Sequence, residues 1–214
     1  KENLDKTIVE IITDAYKKHG RIIFNGNGYS EEWQEEAKRR GLTNETSANT
    51  ALRKYLDPEI LKVTEETGML TIQESASRYN AYAERYVTHL CIEARTLIDM
   101  ANKYILPFGL KYANLLAENI EKVEKFYPEG TEEQKELLKS VLTDISNIRK
   151  ETKLLEARIA EVKKEENLEK QTDMAKEFLV EGLENLRVPC DNLEKIVDNE
   201  IWTLPTYTDL LFKL

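Results

Sequence analysis

The sequence predicts an all-α chain, and three observations predict it. Only eight glycines and five prolines punctuate the 214 residues. Helix-forming residues dominate between them, and no period-2 alternation runs longer than Arg21-Ile22-Ile23-Phe24. Apolar residues recur instead at steps of three and four, which gathers them on one face of a helix. The expected architecture is a set of long antiparallel helices forming a bundle or coiled-coil hairpin, with short N-terminal helices and a docking C-terminal tail.

The first helix is expected over residues 5–18. Leu4, Ile8, Ile11, Ile12 and Tyr16 form its apolar stripe, His19 favours its negative end and Gly20 supplies a stop. The chain opens at Lys1 rather than Met, already inside this pattern. That reads as a piece cut from a longer protein, with removal of a short leader as the competing explanation.

Next comes Ile23-Phe24-Asn25-Gly26-Asn27-Gly28-Tyr29-Ser30-Glu31-Glu32-Trp33. Ser30 can cap a short helix whose positive end Glu31 and Glu32 favour, and that helix should stop near Gly41. A polar stretch over 43–50 leads through short helices to Gly68, so residues 21–70 read as a connector of turns and short helices.

From Thr71 the character changes. Tyr79, Tyr82, Tyr86, His89, Glu93, Leu97, Met100, Tyr104 and Phe108 fall at steps of three and four, implying one long helix reaching toward Phe126 and kinked by Pro107. Tyr127-Pro128-Glu129-Gly130 is a turn, and Thr131 with Gln134 has capping-box spacing.

Leu138, Val141, Ile145, Ile148, Thr152, Leu155, Ile159 and Val162 then alternate threes and fours, as in the seam of a coiled coil. A third long helix is expected from Leu168, with Pro189 interrupting or kinking it. Residues 71–201 are therefore read as a long-helix bundle. Residues 202–214, rich in Trp202, Leu204, Leu210, Leu211 and Phe212, are read as a tail that docks on this chain or on another subunit.

Composition narrows the function classes. Thirty-one Lys and Arg against forty Asp and Glu leave a formal charge of −9, which disfavours nucleic-acid and anionic-membrane surfaces, because both need a basic face. No apolar run approaches the ~20 residues of a membrane span. Cys91 and Cys190 have no CxxC or Cys/His companions, fitting reduced thiols and a cytoplasmic location.

Each candidate for chemistry has a plainer reading. The Asn25, Gly26, Asn27, Gly28 run suggests a phosphate cradle, but it lacks a third glycine in GxGxxG spacing and the Lys-Ser/Thr of a P-loop. Asn and Gly also tolerate left-handed backbone, so a structural turn is expected.

His89 and Glu93 have a spacing that suits a metal, yet no second helix supplies partners, and His89 reads as a structural histidine. Glu93 and Asp99, with Arg85 and Arg95, read as inter-helix ion pairs rather than an acid–base pair. The tyrosines read as packing residues rather than a stacking wall for a ligand. No catalytic, cofactor-binding or metal-binding residue is assigned.

Three segments together resemble the carboxy-terminal region of type III glutamine synthetases: RIIFNGNGYSEEWQEEAKRRGL (21–42), IEARTLIDMANKYILP (92–107) and WTLPTYTDLLF (202–212). The resemblance runs from near Thr7 to the end, with residues 131–188 adding little. It implies a large cytoplasmic enzyme that joins ammonia to glutamate through a γ-glutamyl phosphate, using ATP and Mg or Mn ions, and assembles as a dodecamer of identical subunits.

The family's catalytic, metal and nucleotide residues lie upstream of the matched region, so none carries over to this chain. Residues 1–20 would be the last helix of the upstream catalytic domain, and the rest a non-catalytic extension with an architectural, subunit-packing role. Two readings of other classes stay open. One is a stand-alone helical adaptor or scaffold binding a partner helix along 138–162. The other is a small four-helix metal or ligand protein built on His89, Glu93 and the tyrosines.

Overall fold

The computed structural model describes residues 2–205 and 207–212. Its described residues contain helices, turns and no strand, so the chain is all-α as expected. They divide into two compact units, 1–51 and 52–214.

In the first unit, α1 (Glu2–His19) passes into a 3-10 turn, Gly20–Ile22, rather than ending on a left-handed glycine. α2 (Glu31–Arg40) is built as its sequence suggests. The Ser30 hydroxyl accepts the Trp33 N–H, Glu31 and Glu32 occupy the first turn, and Gly41 closes the helix at φ 68°. In that left-handed conformation a Cβ would clash with the following carbonyl, which is why glycine stands there. α3 (Ala48–Arg53) carries the chain across the boundary between the units.

The second unit opens with a 3-10 turn, Lys54–Leu56, and α4 (Pro58–Glu66). Proline sits in the first turn of α4, where no backbone donor is needed, and the Asp57 carboxylate accepts the Glu59 N–H as the cap. Thr71 starts the next helix with a full capping box: its hydroxyl accepts the Glu74 N–H, while the Glu74 carboxylate accepts the Thr71 N–H. The box expected at Thr131 does not form. The Thr131 hydroxyl donates to the Pro128 carbonyl instead, leaving the helix that starts at Glu132 without a side-chain cap.

α5 (Ile72–Met100), a π-helical turn (Ala101–Ile105) and α6 (Leu106–Glu124) make one unbroken helix of 53 residues. Pro107 has no N–H to give and its ring would press on the carbonyl four residues back. The chain meets this by widening the turn just before the proline, so that the Leu106 N–H bonds to the Ala101 carbonyl, five residues away.

α7 (Glu132–Lys164) follows, then α8 (Leu168–Met174), a second π-helical segment (Ala175–Val180) and α9 (Glu181–Ile196). Pro189 does not interrupt this third helix. α9 runs through it with the proline ring buried, and the irregularity lies earlier, at Ala175–Val180.

Long helices consecutive in the chain are antiparallel. Lys135 reaches Glu124 at 2.8 Å, while Gly109 faces Ile145 farther along α7. Along the other seam, Asp144 meets Asn192 and Arg158 meets the Phe178 carbonyl at 3.2 Å, and Val162 accepts from Gln171 at 3.0 Å. One index rises as the other falls.

Val141, Ile148, Leu155, Ile159 and Val162 are buried along this seam, as the heptads predict, with Leu179, Leu186 and Leu193 opposite. Asp144 is buried among them, at 8 % exposure. On α5 the buried stripe is Ser75, Tyr79, Ala83, Val87, Leu90, Ala94 and Ile98, offset from the expected one. Tyr82, His89, Glu93, Met100 and Tyr104 are exposed instead, because small residues form the contact face and let the helices approach closely.

The tail docks on the bundle through Trp202, 7 % exposed, whose ring lies 5.3 Å from Phe108. Leu204 packs partly against the same core. Leu210, Leu211 and Phe212 of α10 (Tyr207–Phe212) are 69–78 % exposed. Thr206, Lys213 and Leu214, the remainder of the expected docking segment, lie outside the described residues.

Candidate functional site

The glycine-containing loop before α2 is braced from within. Asn27 Oδ1 accepts the Tyr29 N–H at 3.0 Å, and the Asn27 carbonyl accepts both the Ser30 N–H at 3.1 Å and the Ser30 hydroxyl at 2.8 Å. Phe24 packs on Trp33 with ring centroids 4.7 Å apart, and the Arg40 guanidinium lies 5.9 Å above the Phe24 ring. Arg40 also donates to the carbonyls of Arg21 at 2.9 Å and Ile23 at 2.6 Å.

Neither Gly26 nor Gly28 uses left-handed backbone. A Cβ on Gly26 would fall 2.5 Å from the Phe24 ring, whereas one on Gly28 meets nothing within 4 Å. Space, not backbone angle, dictates the first glycine. Gly26→Ala is therefore expected to push Phe24 off Trp33 and cost about 1–3 kcal/mol. Gly28→Ala should be neutral or stabilise by about 0.4–1 kcal/mol through the unfolded state. Chemical denaturation followed by Trp33 emission distinguishes the two.

Glu36 holds this end of the loop by taking hydrogen bonds from Arg39 and Arg40, which lower its carboxyl from its ordinary 4.5 to about 2. The carboxyl is depressed on folding, so its contribution is present above the unfolded value and is lost as pH falls toward 2. Tyr29, 98 % exposed, stands at the loop's tip.

His89 and Glu93 both lie exposed on α5. Among the described residues, no group of three His, Cys, Asp or Glu is placed to hold a metal ion. Asp99 pairs with Lys103 on its own helix at 2.6 Å rather than across helices. Tyr79 is buried, and Tyr82 packs at 5.8 Å on Tyr55.

Cys91 and Cys190 are buried free thiols. Burial, with the nearby carboxylates of Asp191 and Asp144, pushes Cys190 up to about 12, so it stays an unreactive core group.

A cleft of about 540 Å³ opens between α5, α9 and the tail, with Leu97, Met100, Leu183 and Trp202 among its walls. Sequence reasoning missed it because it needs three separated segments. The signal present was the stripe of Glu93, Leu97 and Met100, which lines this cleft, with Leu97 also packed against the core.

A family model, glutamine synthetase C-terminal domain, matches residues 7–124, from α1 to the end of α6. The chain belongs to that family. A glutamine synthetase of Bacteroides fragilis (strain YCH46) is 34 % identical over 97 % of this chain and 29 % of its own length. A type-3 glutamine synthetase of Dictyostelium discoideum is 28 % identical over 95 % of this chain and 28 % of its own length. A glutamine synthetase of Butyrivibrio fibrisolvens is 27 % identical over the whole chain and 31 % of its own length.

The chain thus spans under a third of the length of the curated relatives it matches. The family model stops before α7, while the relatives' similarity covers nearly the whole chain. No helix among its described residues is long and apolar enough to cross a membrane.

Proposed function

We propose that the chain is a non-catalytic, architectural domain of an ATP-dependent glutamate–ammonia ligase, packing against the catalytic part of that enzyme and against identical subunits of its oligomer. In this reading ATP and the Mg or Mn ions bind elsewhere in the enzyme, and no residue described above is assigned to them. In this reading the enzyme works in the cytoplasm.

The observation that carries this reading is the face of α1. Leu4, Ile8, Ile11 and Ile12 recur on one side of the helix, yet they are 45–63 % exposed. A helix of 18 residues gains most of its stability from packing an apolar face, so one with that face uncovered is shaped for a partner. The longer relatives supply the kind of partner: the remainder of a glutamine synthetase polypeptide.

A purified 214-residue chain assayed for ATP-dependent formation of glutamine from glutamate and ammonia should be inactive. Turnover by the chain alone would overturn the non-catalytic assignment.

A further inference from the structure

We infer that Asn25 is a site of self-modification, where the Gly26 nitrogen displaces the asparagine side-chain amide as ammonia and water completes the conversion to aspartyl and isoaspartyl residues. The chain places asparagine directly before glycine at Asn25-Gly26 and again at Asn27-Gly28, all four residues exposed. Glycine has no Cβ, so its nitrogen approaches the preceding side chain with little steric hindrance. Neither glycine N–H has an acceptor among the described residues. The two pairs are alike in sequence, and the fold distinguishes them.

The chemistry needs only water and hydroxide. Hydroxide takes the Gly26 amide proton, and the nitrogen attacks Asn25 Cγ. The new N–Cγ bond closes a succinimide ring, the bond from Cγ to the side-chain nitrogen breaks, and that nitrogen leaves as ammonia after taking a proton from water, which regenerates hydroxide. Water then opens the ring at either carbonyl. Attack at Cγ gives aspartate on the original backbone, and attack at the main-chain carbonyl carbon gives an isoaspartyl link that runs through Cβ and Cγ. Either route consumes one water and releases one ammonia, with no change of oxidation state.

Ring closure requires the asparagine side chain and its own main-chain carbonyl to rotate together, because both belong to the ring. Asn25 is free to do this, since neither its side chain nor its carbonyl is hydrogen-bonded among the described residues. The brace from Arg40 stops short of it, at the Arg21 and Ile23 carbonyls. Asn27 is held at both places. Its Oδ1 accepts the Tyr29 N–H at 3.0 Å, and its carbonyl accepts the Ser30 N–H at 3.1 Å and the Ser30 hydroxyl at 2.8 Å. Those bonds must break before its ring can close, which slows Asn27 by about tenfold or more. An isoaspartyl link at 25 also puts an extra backbone carbon directly before the glycine that the Phe24 ring crowds.

The test incubates the full chain in mildly alkaline buffer, with a parallel sample unfolded in guanidinium chloride, and locates aspartyl and isoaspartyl products by tandem mass spectrometry of digests taken over time. In the folded chain Asn25 should convert at least about tenfold faster than Asn27, and unfolding should bring the two rates together by speeding Asn27. Asn25→Gln should remove most of the acidic species that anion exchange resolves, because its longer side chain closes a larger ring slowly. The mapping of the unsubstituted chain does not depend on that variant folding.

Three outcomes overturn the inference. One is a folded-state ratio that falls short of about tenfold, and another is a ratio that persists undiminished in guanidinium chloride, which would place the difference in sequence rather than fold. The third is an acidic species that forms as fast in Asn25→Gln as in the unsubstituted chain.

Discussion

Leu155→Ala should destabilise the bundle by about 2–5 kcal/mol, and Gly182→Ala should restore part of that loss. Leu155 is fully buried at the centre of the seam between α7 and α9. Truncating it leaves a cavity that close-packed neighbours cannot fill. Its Cδ1 also lies 2.8 Å from the position a Cβ on Gly182 would take, with Arg158 Nη1 at 3.3 Å.

Gly182→Ala alone therefore sets a helix-propensity gain of about 1 kcal/mol against a collision with Leu155. When Leu155 is already alanine the collision is gone and the new methyl enters vacated space. The pair should be more stable than the sum of the singles by about 0.5–3 kcal/mol. Urea denaturation of the four proteins measures this coupling. Additive losses would mean that the two helices do not meet at this point.

The second large effect separates the fold of this chain from its packing in the longer enzyme proposed above. Ile8→Asp combined with Ile12→Asp should leave the stability of the chain itself within about 0.5 kcal/mol, because both side chains are already exposed. In the complete enzyme the same pair should be severe. Each isoleucine buried at an interface contributes about 1.5–3 kcal/mol, and each aspartate adds the cost of desolvating a charge. The stability of the complete enzyme, followed by urea denaturation, should fall by about 3 kcal/mol or more. Unchanged stability would mean that α1 meets no partner there.

Much of the helix layout was legible because punctuation is sparse and its chemistry is strong. Ser30 and Gly41 bracket α2 in the structure as they do in sequence, and Leu168 starts the third long helix where the pattern begins. The α7 seam was legible because large β-branched and leucine side chains carry it.

The α5 stripe was misread by about one residue, since Ser75, Ala83, Ala94 and Ala101 make the contact there and hydrophobicity alone does not mark them as the inner face. Asp144 was passed over for the same kind of reason. It too lies three after Val141 and four before Ile148, and position outranked polarity. The π-helical turns were not legible because period-based reading assumes 3.6 residues per turn throughout. Pro107 marked one of them only as a disturbance, and nothing comparable marked Ala175–Val180.

The cleft was the least legible feature. Its lining is drawn from residues 93–105, 183–194 and 202–205, brought together only by the antiparallel return of the chain and by Trp202 anchoring the tail. The loop at 25–28 was readable as a turn, but the role of Gly26 was not, because the obstacle is the Phe24 ring folded back over it.

The most direct test of the architectural role is the molar mass and steady-state kinetics of the complete enzyme with and without the segment equivalent to residues 71–214. The account predicts that the deletion alters subunit assembly, with activity falling as assembly is lost. An enzyme that keeps its full assembly and unaltered kinetics after the deletion would contradict it.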